Sequence, residues 1–175
     1  MKKYLLFVSF MCLALTGCVE KMEEEKESAY SGKTDQLYIA IKEVYGDSYA
    51  PDFEYNEAKA ESELDIDMDN VKDFFIEQSK EKEDTVIIIE AETGKIEDVI
   101  EDLENYKEKL VLDNSDNLRI NAATIYDKDN YAFFVILGED TAGNMDGTDK
   151  NSRLKYYKEQ NQKAVDAIDG FFGEV

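Results

Sequence analysis

The sequence predicts an α+β fold. It should hold an antiparallel sheet of about four strands in two hairpins, packed with a central and a C-terminal helix and preceded by one N-terminal helix. Three observations lead there. Thr85-Val86-Ile87-Ile88-Ile89-Glu90-Ala91 is β-branched and nearly continuous, the pattern of a central strand. Asp127-Lys128-Asp129-Asn130 separates two apolar runs, Asn121 to Tyr126 and Tyr131 to Gly138, as a hairpin turn does. Before, between and after these strands lie segments whose apolar residues recur at helical spacing.

The elements follow in chain order. Leu37, Tyr38, Ile41, Val44 and Tyr45 trace one helical face, with Thr34 or Asp35 placed to cap it and Gly46 to stop it. Asp47 to Phe53 reads as a loop holding the only proline, Pro51. Residues 53 to 66 are ambiguous, with a strand signal near Phe53 to Ala58. Val71 to Gln78 sets Phe74 and Ile76 against charged residues and fits a strand, or a short helix capped by Asp69. Lys80 to Asp84 is a polar turn before the isoleucine-rich strand. Thr93-Gly94 opens a helix with Ile96, Val99, Ile100, Leu103, Tyr106 and Leu110 on one face and charge on the other, so it should lie along the sheet. Asp113 to Asn117 breaks that helix, and the polar loop Glu139 to Asn151 leads to the last one. There Leu154, Tyr157, Asn161, Ala164, Val165, Ile168 and Phe172 share a face.

Composition narrows the function classes. Among 175 residues, 41 are acidic and 20 basic, a formal charge of −21, and none is histidine. The commonest general base and metal ligand is therefore missing, which removes histidine triads and imidazole metal sites. Nucleic-acid binding is not expected, because phosphates would meet a strongly negative surface. No cofactor is called for.

The N-terminus reads as an address. Lys2 and Lys3 precede an apolar run from Tyr4 to Thr16, shorter than the roughly 20 residues that span a bilayer, as in a secretory signal peptide. Leu15-Thr16-Gly17-Cys18 at its end resembles the lipobox of bacterial lipoproteins. That resemblance implies cleavage before Cys18 and acylation of its thiol, so that Cys12 leaves with the leader. Loss of Lys2 and Lys3 would leave 18 basic residues against 41 acidic, or −23. The expected organisation is a signal peptide over 1–17, a lipidated cysteine and acidic tether over 18–33, and one globular domain over 34–175. The expected location is the extracellular face of the cell membrane, held there through Cys18.

The element order is similar to that of small Gram-positive lipoproteins that carry a domain of unknown function. The likeness covers roughly Tyr45 to Asp140. Its core is the isoleucine-rich strand, the amphipathic helix from Lys95 and the strand Tyr131-Ala132-Phe133-Phe134-Val135-Ile136. These are structural positions, so the resemblance implies fold and address and brings no catalytic residues.

Several segments imitate catalytic or metal motifs. Gly46-Asp47-Ser48 has the look of a hydrolase nucleophile block, but the serine follows a helix and there is no histidine to take its proton. Ser152-Arg153-Leu154-Lys155 and Ser115-Asp116-Asn117 imitate penicillin-recognising enzymes, but in the wrong chain order and with no Lys-Thr-Gly. Asp65-Ile66-Asp67-Met68-Asp69 alternates carboxylates like a calcium loop, yet Asn70 and Ile76 stand where glycine and glutamate are needed. The loop with Asp140, Asn144, Asp146, Gly147 and Asp149 likewise lacks the full spacing.

What is left is a binding edge. Tyr45, Tyr49, Phe53 and Tyr55 bunch around the first loop beside Asp47 and Asp52, where aromatics could stack on a sugar, clasp a cationic peptide or seal the core. Tyr49, Phe53, Tyr55 and Asp146 are the candidate ligand-binding residues. The favoured reading is a non-enzymatic, membrane-anchored binding or accessory module whose partner is another envelope protein or a small ligand. The alternative is a carboxylate-based hydrolase of cell-wall glycan, which needs two carboxyls about 5–9.5 Å apart in a cleft.

Overall fold

The computed structural model describes residues 33–81, 83–140 and 149–173. The leader, Cys18 and Asp146 lie outside the described residues, as does the tether up to residue 32.

Five strands form one antiparallel sheet in the order β1-β2-β3-β5-β4. They are β1 (Phe53–Glu54), β2 (Val71–Gln78), β3 (Thr85–Ala91), β4 (Thr124–Lys128) and β5 (Tyr131–Ile136). The helices are α1 (Lys33–Tyr45), α2 (Glu57–Leu64), α3 (Ile96–Asp113), α4 (Leu118–Asn121) and α5 (Lys150–Gly173). The sheet thus has one strand more than the four expected, because a two-residue strand occupies the edge. The ambiguous stretch after Phe53 turns helical at Glu57, correcting the strand signal that ran on to Ala58. Val71 to Gln78 is a strand and not a short helix. The strand expected from Asn121 begins at Thr124, after α4.

The continuous apolar run of β3 follows from its place. It pairs with β2 on one side and β5 on the other, and Val86, Ile87, Ile88 and Ile89 are wholly buried because helices cover both sheet faces. Alternation along the strands divides the core in two. Ile76, Ile87, Ile89, Phe134 and Ile136 face Val99, Leu103 and Tyr106 of α3 and Ala60 and Leu64 of α2. Phe75, Val86, Ile88, Phe133 and Val135 face Leu37, Tyr38 and Ile41 of α1 and Ala164 and Ile168 of α5. Each such fully buried side chain stabilises the fold by about 1.5–3 kcal/mol over leaving it exposed.

Short-range chemistry fixes the joints. Lys128 pairs with Tyr131 across a two-residue turn, and Asp129 takes the left-handed conformation (φ 57°) which that turn requires. Asn56 caps α2 by accepting from the Lys59 amide at 3.0 Å. Asn161, buried on α5, accepts from the Leu137 amide at 2.9 Å and donates to the Ala122 carbonyl at 2.9 Å. One side chain thereby ties α5 to the end of β5 and the approach to β4.

Candidate functional site: the groove at the β1 edge

β1 and α2 together build a groove of about 390 Å³ at one edge of the sheet. Phe53 lies opposite Gln78 across the β1–β2 ladder, so both side chains leave the sheet on the α2–α3 face. Tyr55 continues the pairing, its amide donating to the Ile76 carbonyl at 2.9 Å, and then packs its ring into the core. Its phenol donates to Glu63 at 3.0 Å, and burial, helped by that carboxylate, pushes the phenol above its ordinary range. Phe53 stands edge-to-face to Tyr55 with centroids 5.7 Å apart, and 46% of its surface is exposed. Lys59 reaches over both rings, 3.9 Å from the Phe53 centroid and 5.1 Å from that of Tyr55, and sits 3.5 Å from the Glu63 carboxylate.

Gln78 lines this groove and is only 1% exposed. Its Nε2 donates to the Tyr106 phenol at 2.7 Å, while its Oε1 has no hydrogen-bond partner. Buried polar atoms are almost always paired, so this amide oxygen, closed off from solvent, is an exception in the groove's inner wall. Asp52 and Lys80 complete the rim with one charge of each sign.

The aromatic residues of the first loop divide between the two sheet faces. Phe53 and Tyr55 belong to the groove. Tyr49 lies on the other side of the edge, against α1: it donates to Glu77 at 2.7 Å and stands edge-to-face to Tyr38, 5.9 Å away. Burial first, and Glu77 second, raise its phenol far above the ordinary value. Tyr45, still further round, donates to the Gln160 carbonyl at 2.7 Å and locks α1 to α5. Gln78, Lys59 and Glu63 are the groove residues that sequence reasoning did not single out. The helical i,i+4 spacing of Lys59 and Glu63 was the one signal available for them.

Two further carboxyl groups bear on catalysis, Asp84 just before β3 and Asp102 on α3. The Asp84 carboxylate accepts from both terminal nitrogens of Arg119, which also donates to the Gly138 carbonyl at 2.6 Å. Burial drives Asp84 upward against the pull of that guanidinium. Asp102 is likewise raised by burial and accepts from the Asp67 amide at 3.0 Å. Asp67 itself accepts from the Asp69 amide and the Asn70 side chain, so its carboxylate serves a turn, while that of Asp65 pairs with Lys109. No group of three or more acidic, cysteine or histidine side chains is placed to hold a metal ion among the described residues. No helix among them is long and apolar enough to cross a membrane.

Compared with known protein families, the chain matches a domain of unknown function, DUF4358, over residues 45–137, more than half its length. The chain belongs to that family. The DUF4358 span begins at the last residue of α1 and ends just after β5, so it takes in all five strands, α2, α3, α4 and the whole groove. Nearly all of α1 and the whole of α5 lie outside it. No curated protein and no solved structure matches the chain.

Proposed function

We propose that this chain is a lipid-anchored protein of the bacterial cell envelope, of the small Gram-positive lipoprotein type. It presents its DUF4358 domain at the outer face of the membrane as a non-enzymatic binding or accessory module. The address rests on Lys2-Lys3, the apolar run to Thr16 and Leu15-Thr16-Gly17-Cys18, which together give a cleaved leader over 1–17, a lipidated Cys18 with its tether to 33, and a domain over 34–175. Several acyl chains on Cys18 hold a protein stably where one would not.

One observation carries the binding role: the β1-edge groove, whose aromatic wall is exposed at Phe53. Glycan hydrolysis needs a carboxyl free to hand over its proton beside a second one. Asp84 and Asp102, the carboxyls raised by burial, are instead engaged by Arg119 and by backbone, which favours binding.

Fatty-acid labelling and site-directed crosslinking test the two halves. Label should enter the wild-type chain and not Cys18→Ser; label in both overturns the anchor. A photo-crosslinking residue at position 53 should capture one dominant envelope component, while the same residue at Leu112 on the far edge should not. Equal capture at both positions overturns the groove as the binding surface.

A further inference from the structure

We infer that the β1-edge groove is an ammonium site, taking a ligand's protonated amine in the position now filled by Lys59. The inference rests on the binding role proposed above and names the chemistry of the ligand. Two π faces and a carboxylate already converge on one positive group: Lys59 Nζ lies 3.9 Å from the Phe53 centroid, 5.1 Å from that of Tyr55 and 3.5 Å from Glu63. Lys59 arrives there on a flexible stem from α2, its side chain 39% exposed. An i,i+4 pair this open to water holds its lysine weakly. The groove is therefore shaped for an ammonium and occupied by one that can leave.

The buried amide oxygen of Gln78 takes no bond from the Lys59 ammonium, so an amine in the same position is held by the two rings and Glu63 alone. With Lys59 displaced, a singly charged ligand restores the balance of Asp52 and Glu63 against Lys80. The chain's charge of −21 adds a field that draws cations toward it. The same chemistry occurs on a free small amine and on a lysine side chain of a peptide.

Calorimetric titration of the full chain in detergent separates these sources. Pentylamine stands for the free amine and Nα-acetyl-lysine amide for the peptide side chain, with Nα-acetyl-norleucine amide as the neutral isostere. At least one amine should bind and the norleucine compound should not; whichever amine binds more tightly assigns the source. Lys59→Met should tighten amine binding about tenfold by removing the internal competitor. Phe53→Ala should weaken it about tenfold, and Glu63→Gln, which keeps the shape of the groove, should weaken it as well. Amine binding that is unchanged or weakened by Lys59→Met overturns the inference, as does the absence of amine binding to a folded chain. In either case a position-53 crosslink that still forms keeps the binding role, whereas loss of that crosslink removes both.

Discussion

Arg119 carries a guanidinium to a site where the residue is only 6% exposed, and three acceptors meet it there: both carboxylate oxygens of Asp84 and the carbonyl of Gly138. Arg119→Ala would strand Asp84 as an unpaired buried charge, and the expected loss is about 3–5 kcal/mol, read from urea denaturation. Replacing the pair together, Arg119→Met with Asp84→Leu, should cost much less, because neither charge is then left alone. At this scale the candidate groove is partly legible in the sequence. Phe53 and Tyr55 stood out as aromatics beside a loop, and the structure places both at the groove. Tyr49 was grouped with them by proximity in sequence, but an edge strand lies between, and the chain passes from one sheet face to the other there. Gln78 was not legible at all. A glutamine at the end of a strand carries no pattern, and its burial depends on β1 crossing beside it and on Tyr106 arriving from α3.

Among the elements, α3 and α5 can be read because long periodic patterns point to one buried face, and β3 because its apolar run is continuous and buried on both. α2 could not: of Glu57-Ala58-Lys59-Ala60-Glu61-Ser62-Glu63-Leu64 only Ala60 and Leu64 are buried, a single i,i+4 pair without a stripe. β1 is two residues long, too short for any alternation to show, which is why the strand count came out low. The helix face of α5 shows the converse case. Asn161 fits the apolar periodicity by position but not by chemistry, and its role appears only with the backbone groups it satisfies. Asn161→Ala removes both bonds and leaves the Leu137 amide without its partner and the Ala122 carbonyl with the Thr124 hydroxyl alone, at about 1–3 kcal/mol for the orphaned amide. Hydrogen exchange at Leu137 should then quicken more than at Ile88, whose ladder bonds within the sheet are untouched. If the two amides respond alike, Asn161 is no local staple.

For the whole molecule, buried phenols set the alkaline limit. Burial is the largest cause raising Tyr45, Tyr49, Tyr55, Tyr106 and Tyr131, with Tyr106 pushed up to about 12 from the ordinary 10.0. In this direction the folded state holds its protons longer than the unfolded chain. Their contribution is therefore complete below pH 10.0 and is lost as pH rises from there, that of Tyr106 through about 12 and that of the other four beyond it. Chemical denaturation across that range should show stability level below it and falling within it. The tyrosinate absorbance of these residues should appear with unfolding; tyrosinate forming fully in the folded state would contradict their burial.

The two helices that close the second sheet face come from opposite ends of the described chain, α1 at its start and α5 at its finish. During synthesis, then, the sheet can pair and gain α3 while Val86, Ile88, Phe133 and Val135 still lack half their cover. Only when α5 has followed the strands out of the ribosome does that apolar surface close. A fold built in this way keeps one face of its sheet half-covered until the later of its two closing helices arrives.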